Sequence, residues 1–424
     1  MPSPLRPLLL AYVTLLPLRR LEFLPLVEQL GPVIHLTEVL FLLLVPLALY
    51  YVGCQLRPTA NAFTLGTVGL LAVLTVSTLR AEHPHGYFEL LGRYYLFAVF
   101  LLFCWATRHF GPPFLRAVFR YWYYGAAALA SLAYLGYPLA FFFNWTGLVS
   151  VYEDYPYFGT VFRASATAGG ATALILLTLL PALYDYWRWR SDRRTPWFLL
   201  VCLPLFVLTF SKEVLLLPVA LLVLEGAFGT GAAARYLVAA VLIVVYQFST
   251  HYFVQPRQDI SHTTYATAEY SPGTVAYRGA DYQLLETTYT ALKRAAIYQV
   301  ARHPLIGVGA DQFQQQLQDD RPLSIYPAHL PPYGPHSTWF GLLAEAGVLG
   351  LLTVLAMVYG LARRLRRHLR VPASPTYALN YCLLAFFVAL AVASVNCDLL
   401  HLQYVWVPLA LVMGQVGHNW VVNE

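Results

Sequence analysis

Long apolar stretches separated by short polar breaks run along most of the chain. Stretches such as 39–52 and 236–248 contain no charged side chain. With their flanks they approach the roughly 20 residues that a helix needs to cross the hydrocarbon core of a membrane. The pattern predicts about 12 transmembrane helices. In chain order these are 8–18, 33–53, 61–79, 87–106, 114–136, 166–185, 196–210, 213–225, 236–250, 338–361, 376–396 and 403–419.

One long segment, 251–336, breaks this pattern. It is rich in Tyr, Thr, Gln, Asp and His, and its prolines cluster towards the end. A loop of this length without secondary structure of its own would be unusual, and 282–300 has roughly helical apolar spacing, so we expect short helices here. The predicted fold class is an all-α polytopic membrane protein. It has transmembrane helices in 1–250, a large loop region in 251–336 and further transmembrane helices in 337–424.

Composition supports this class and excludes others. The 424 residues are 58% hydrophobic and only 11% charged, whereas soluble domains carry about 25% charged residues. The net charge of +6 comes almost wholly from arginines that punctuate apolar segments, which does not favour nucleic-acid binding. The five cysteines lack CxxC spacing, and no acidic or histidine motif with metal-ligand spacing is present, so we predict no disulfide framework and no metal site.

The distribution of positive charge predicts the orientation of the chain in the membrane. Two short loops, 188–194 and 363–370, are strongly basic and fall on the same side of the predicted spans, which should therefore be cytoplasmic. Both termini then lie in the cytoplasm. The polar break at 211–213 and the segment 251–336 lie outside. Arg19 and Arg20 also come out on the outer face, against the rule, so the first span is the exception.

Two linked motifs stand out. The first, RHPLIGVGADQF, spans 302–313. The second begins with PHSTW at 335–339 and continues as LAEAGVLGLL at 343–352, opening a predicted membrane helix. Together they resemble the signature of the O-antigen ligase and O-antigen polymerase superfamily, closely over 294–352 and loosely over the whole topology.

Two weaker similarities lie upstream. The run FRAS at 162–165 is similar to an arginine-containing stretch of these proteins, and TFSKE at 209–213 resembles their Ser-Arg-Gly break between short helices. Lys212 stands where the family has arginine; it keeps the charge but lacks the planar fork that binds phosphate through two hydrogen bonds. Ser337 stands where the family usually has asparagine.

The resemblance implies a metal-independent membrane glycosyltransferase without a cofactor. Such an enzyme transfers a glycan from undecaprenyl diphosphate to an acceptor on the periplasmic face of the bacterial inner membrane. For an O-antigen ligase, which we favour, the acceptor is a sugar hydroxyl of lipid A core, and direct displacement inverts the anomeric configuration. An O-antigen polymerase, which extends the carrier-linked glycan, is the alternative. A transporter or flippase is a third, less favoured alternative. It would need charged residues near mid-membrane and an inverted repeat. The oligomeric state is left open.

The predicted site follows from this chemistry. His336 is the candidate general base, because histidine titrates near neutral pH and can take the proton of an acceptor hydroxyl. The diphosphate leaving group needs fixed cations, and the candidates are Arg163, Lys212, Arg278 and Arg294. Asp398 and His401 share the outer face and could orient His336 or the acceptor, although helix capping and hydration explain them equally well.

Overall fold

The structure of the chain is a computed structural model. It describes residues 4–18, 36–51, 61–81, 86–155, 159–168, 170–228, 232–256, 270–319, 326, 333–371 and 374–415. The predicted proline-rich approach to His336 and the end of the last predicted span therefore lie largely outside the described residues.

The described part is mostly helical, with two small antiparallel sheets. The N-terminal part contains α1 (Leu5–Leu15), α2 (Leu36–Tyr51), α3 (Ala62–Thr78), α4 (Gly86–Phe143), β1 (Val149–Tyr155), β2 (Gly159–Ala164), α5 (Ala171–Asp192), α6 (Trp197–Leu208), α7 (Leu216–Glu225) and α8 (Ala232–His251). The C-terminal part contains β3 (Tyr252–Pro256), β4 (Tyr270–Arg278), β5 (Tyr282–Thr287), α9 (Thr288–Arg302), α10 (Phe313–Asp319), α11 (Thr338–His368), α12 (Tyr377–Ala393) and α13 (Gln403–Gly414).

Three of these helices, α4, α8 and α11, are long and apolar enough to cross a membrane. The prediction of a helical membrane protein is thus confirmed, while the number of about 12 spans stays a prediction. The core lies between the helices, where α3 packs on α11 and α13 packs on α4. Large apolar side chains such as Leu42 and Phe142 remain exposed, as expected for surfaces that face lipid.

Two long helices are broken at glycines with positive φ. In α4 the break is at Gly111, with φ 68°, and Pro112 and Pro113 follow. It separates the two spans predicted at 87–106 and 114–136. In α11 the break is at Gly347, with φ 65°, a left-handed conformation that glycine adopts without steric cost.

The expectation of an all-α chain was wrong in two places. β1 pairs with β2, and β5 lies between β3 and β4 in a second sheet. The stretch 282–300, whose roughly helical apolar spacing led us to expect short helices, begins as β5 and becomes helical only at Thr288. Burial alternates along Tyr282–Thr287, which is the period-two pattern of a half-buried strand. A six-residue stretch is too short for apolar spacing to distinguish a strand from a helix.

The two signature motifs meet through their backbones at the break in α11. The N–H groups of Val308 and Gly309 donate to the carbonyls of Ala344 and Glu345, both at 2.9 Å. A Cβ on Gly307 would overlap this segment of α11. The motif glycines therefore allow the loop to lie directly against the helix break and to bind the polar groups that the break exposes.

Candidate active site

His336 is held by the two residues that follow it. Ser337 caps α11, its side chain accepting from the N–H of Phe340 at 3.4 Å. The N–H of Thr338 donates to the carbonyls of Ser394 and Cys397, at 2.9 and 3.0 Å. The start of α11 is thus tied to the connection between α12 and α13. His336 itself has φ 43°, a left-handed conformation that costs a non-glycine residue roughly 1–2 kcal/mol.

The His336 ring lies between two tyrosines at the outer surface of the fold. Its centroid is 5.6 Å from that of Tyr289, in α9, and 5.7 Å from that of Tyr333. The side chain is exposed, and neither ring nitrogen is hydrogen-bonded to a described residue. Its partly enclosed setting lowers the pKa of His336, an effect that the carboxylate of Asp398 opposes. A lowered pKa favours the neutral imidazole near pH 7, which is the form that can accept a proton.

Lys212 contacts the same tyrosine, Tyr289. Its Nζ is 5.8 Å from the centroid of the Tyr289 ring, within the range of a cation–π interaction. The chain turns at Phe210, which has φ 46°, and Lys212 begins a short 3₁₀ turn after α6. Tyr289 therefore contacts both Lys212 and His336, two residues that the sequence separates widely.

Arg163 is held at the end of α6, just before the 3₁₀ turn that begins at Lys212. It lies in β2, and its Nε donates to the carbonyl of Thr209 at 2.7 Å, three residues before Lys212. The hydroxyl of Tyr137 donates to the carbonyls of Phe162 and Leu208, at 3.1 and 2.9 Å. The strand carrying Arg163 is therefore fixed against the end of α6.

The structure does not bring Arg278 and Arg294 into contact with His336. Arg278 is exposed at the end of β4, where its backbone pairs with that of Gln283. Arg294 is exposed on α9 and forms an ion pair with Glu286. A role for either residue in binding the diphosphate stays a prediction.

Asp398 and His401 do lie together, and Asp398 has a partner that sequence reasoning missed. Its Oδ2 is 3.3 Å from Nδ1 of His401 and 3.6 Å from Nη2 of Arg93, in α4. Burial by itself would raise the pKa of the Asp398 carboxyl, but His401 and Arg93 hold it below its ordinary range. Arg93 also pairs with Glu89 at 2.9 Å. The available signal was that Arg93 is the one arginine within the predicted span 87–106.

A cavity extends from this cluster into the helices. Its lining is mainly apolar, and its polar groups come from Thr67, Arg93, Thr338, Glu345 and Asp398. Thr338, which lines the cavity, is two residues from His336. Among the described residues, no group of three His, Cys, Asp or Glu side chains is arranged to hold a metal ion.

Comparison with known families gives one match. A family model described as Wzy_C, O-antigen ligase, matches residues 157–355. The chain carries an O-antigen ligase domain. The resemblance inferred from the two motifs is therefore confirmed, and the family is one of membrane ligases of the glycosyltransferase type.

The O-antigen ligase match contains every residue of the predicted site except the supporting pair. Arg163, Lys212, Arg278, Arg294 and His336 all fall within 157–355, whereas the supporting pair comes from the C-terminal part of the chain. Comparison with curated proteins gave no match. Within the O-antigen ligase domain, sequence reasoning missed Tyr289, because only the packing of α9 shows that its ring contacts both a cation and the histidine.

Proposed function

We propose that this protein transfers a glycan from undecaprenyl diphosphate to a sugar hydroxyl of lipid A core, on the periplasmic face of the bacterial inner membrane. The observation that carries the proposal is the contact of one tyrosine, Tyr289, with both Lys212 and His336. A cation and a neutral histidine on one small surface supply the groups that glycan transfer from a diphosphate needs.

Each group has a defined part in the proposed reaction. Lys212, with Arg163 near it, binds the diphosphate and stabilises the negative charge that develops as the bond to the anomeric carbon breaks. His336 takes the proton of the acceptor hydroxyl, whose oxygen attacks the anomeric carbon from the opposite face. The products are the glycosylated acceptor, with inverted configuration, and undecaprenyl diphosphate. No metal or cofactor takes part, because the cations come from side chains.

The surroundings of His336 support its role as the general base. Its exposed ring has no hydrogen bond to a described residue, so it can receive one from the acceptor. Its backbone is fixed through Ser337 and Thr338, which positions the imidazole before the substrates arrive. Asp398 and His401 act at longer range, Asp398 through its charge on the imidazole.

The test is transfer in vitro, with the purified protein in detergent and EDTA. Wild type, His336→Ala and His303→Ala receive an undecaprenyl diphosphate-linked glycan and lipid A core. His303 is a matched control, because its side chain is exposed and belongs to the same outer segment. We expect transfer by wild type and His303→Ala, and a loss of at least about 100-fold in His336→Ala.

Each other result has a distinct meaning. Normal transfer by a well-folded His336→Ala would remove His336 from the mechanism. Lengthening of the carrier-linked glycan, with lipid A core left unmodified, would identify an O-antigen polymerase. Loss of transfer in EDTA that added metal restores would contradict the metal-independent mechanism.

A further inference from the structure

A second polar cluster lies one helical turn along α9 from Tyr289, and the proposed mechanism does not use it. Lys293 is hydrogen-bonded through Nζ to Nε2 of His251 and donates to Oδ1 of Asn396 at 2.9 Å. Lys293 is only 9% exposed. No described carboxylate forms an ion pair with it, which is unusual for a buried ammonium group.

The hydrogen bonds of the cluster have a defined direction. Nδ1 of His251 is 2.7 Å from the carbonyl oxygen of Gln247, which can only accept, so Nδ1 carries the proton and Nε2 accepts from Lys293. The Nδ2 group of Asn396 donates to Oε1 of Gln247 at 2.9 Å, which leaves Oδ1 of Asn396 facing Lys293. Both partners therefore offer Lys293 acceptors, an arrangement that stabilises an ammonium group.

This ammonium group is adjacent to the site. Tyr289 and Lys293 are four residues apart on α9 and share one face of the helix. From the other side, the ring of Phe340, in the first turn of α11, lies 5.7 Å from Nζ of Lys293. A positive charge at this depth is poorly screened by water, so its potential extends to the surface of Tyr289 and His336.

We propose that Lys293, held by His251 and Asn396, is a positioning residue that attracts the donor's diphosphate to the surface formed by Tyr289, Lys212 and His336. This inference rests on the proposed function, because the diphosphate is the anion that the site takes there. It adds to Lys212 and Arg163 a further cation on a different element, α9. The role is electrostatic and requires no bond to Lys293.

The charge of Lys293 depends on its surroundings. Burial lowers its pKa from the ordinary value to about 8. The titratable groups that face the cluster are His251 and Tyr246 from α8, Lys212 and Glu213 from the 3₁₀ turn, Cys397 and Asp398 beyond α12, Tyr289 on α9 and His336 before α11. Attraction by Lys293 should therefore weaken between about pH 7 and about pH 9.

The test is binding of farnesyl diphosphate, a short water-soluble probe, to the full-length protein in detergent. It compares wild type, Lys293→Met, Lys293→Arg and Arg80→Met at about pH 7 and about pH 9. Arg80→Met removes one positive charge from an exposed side chain elsewhere and controls for net charge. Thermal unfolding of each variant verifies the fold.

We expect Lys293→Met to bind about ten-fold more weakly at about pH 7, with Arg80→Met unchanged. Wild type should lose affinity by several-fold at about pH 9, and Lys293→Arg should not, because arginine stays charged. This comparison needs no charge-deleted variant, so it decides the matter even if Lys293→Met does not fold. A role in packing alone would not make the pH dependence disappear in Lys293→Arg.

Two results would overturn the inference in different ways. If wild type binds the probe and Lys293→Met binds it equally well, or if Lys293→Arg shows the same loss at high pH as wild type, Lys293 has no such role and the proposed function stands. If wild type itself does not bind farnesyl diphosphate, the diphosphate donor is wrong, and the inference fails with the proposed function.

Discussion

The backbone N–H of Val348 donates to the carbonyl of Pro304 at 2.9 Å. Pro304 belongs to the first signature motif and Val348 to the second, so this bond and its neighbours join the two motifs. The break at Gly347 leaves the N–H of Val348 without its partner in the preceding helical turn, and the loop supplies that partner. The motif glycines thus have a structural role, and His336 lies at the start of the helix that they stabilise.

We predict that Gly347→Ala destabilises the protein by about 3 kcal/mol or more. A Cβ at this position would overlap the backbone of Leu305, and φ is positive. Gly92→Ala, where the added Cβ would meet nothing within 4 Å, should leave the free energy of unfolding unchanged or raise it. Thermal unfolding in detergent measures both. Equal unfolding temperatures for the two variants would contradict the docking described for this loop.

His336 should show a trade-off between stability and activity. Its left-handed backbone is strained for any residue with a Cβ, so His336→Gly should be more stable than His336→Ala by about 1 kcal/mol. Both variants should lack transfer activity. Thermal unfolding and the transfer assay, run on the same preparations, provide the comparison. A His336→Gly protein no more stable than His336→Ala would show that the strain is relieved elsewhere.

The loss of activity at acidic pH, the acidic limb of the pH–activity profile, should reflect protonation of His336. The neutral imidazole is the active form and its pKa is lowered, so activity should be half-maximal below about pH 6.5 and decline further as the pH falls. Asp398 raises this pKa, so Asp398→Asn should move the limb to still lower pH. A limb that moves towards higher pH in Asp398→Asn would exclude His336 as the titrating base.

Lys212 should affect binding of the donor rather than binding of the acceptor. Lys212→Met should raise the KM for the lipid-linked donor about ten-fold or more and leave the KM for lipid A core unchanged. Lys212→Arg keeps the charge, so it should bind the donor at least as well as wild type does. Initial rates at varied donor concentration test both variants. An equal rise in the two KM values would point to a distorted site instead of a lost cation.

Much of this protein could be read from the amino-acid sequence. Apolar stretches of membrane-spanning length and scarce charge indicate helices in lipid, because a buried backbone must satisfy its own polar groups. The linked motifs at 302–313 and 335–352 led to the O-antigen ligase family, since each contains a chemically unusual combination of histidine, proline and glycine. Membrane class and family came from these local patterns, and so did the prediction, still to be tested, that His336 is the catalytic base.

Only the tertiary structure decided which cations accompany the histidine. Arg278 and Arg294 have the right residue type in the right interval, yet one lies at the end of a strand and the other pairs with Glu286. The parts proposed for Tyr289 and Lys293 could be inferred only from the packing of α9 against α11. The physical reason is that charge and spacing along a chain are local properties, whereas a site is formed by side chains that folding brings together from distant elements. Here β5, part of a stretch expected to be helical, ends at Thr287, and α9, which carries Tyr289 and Lys293, begins at the next residue.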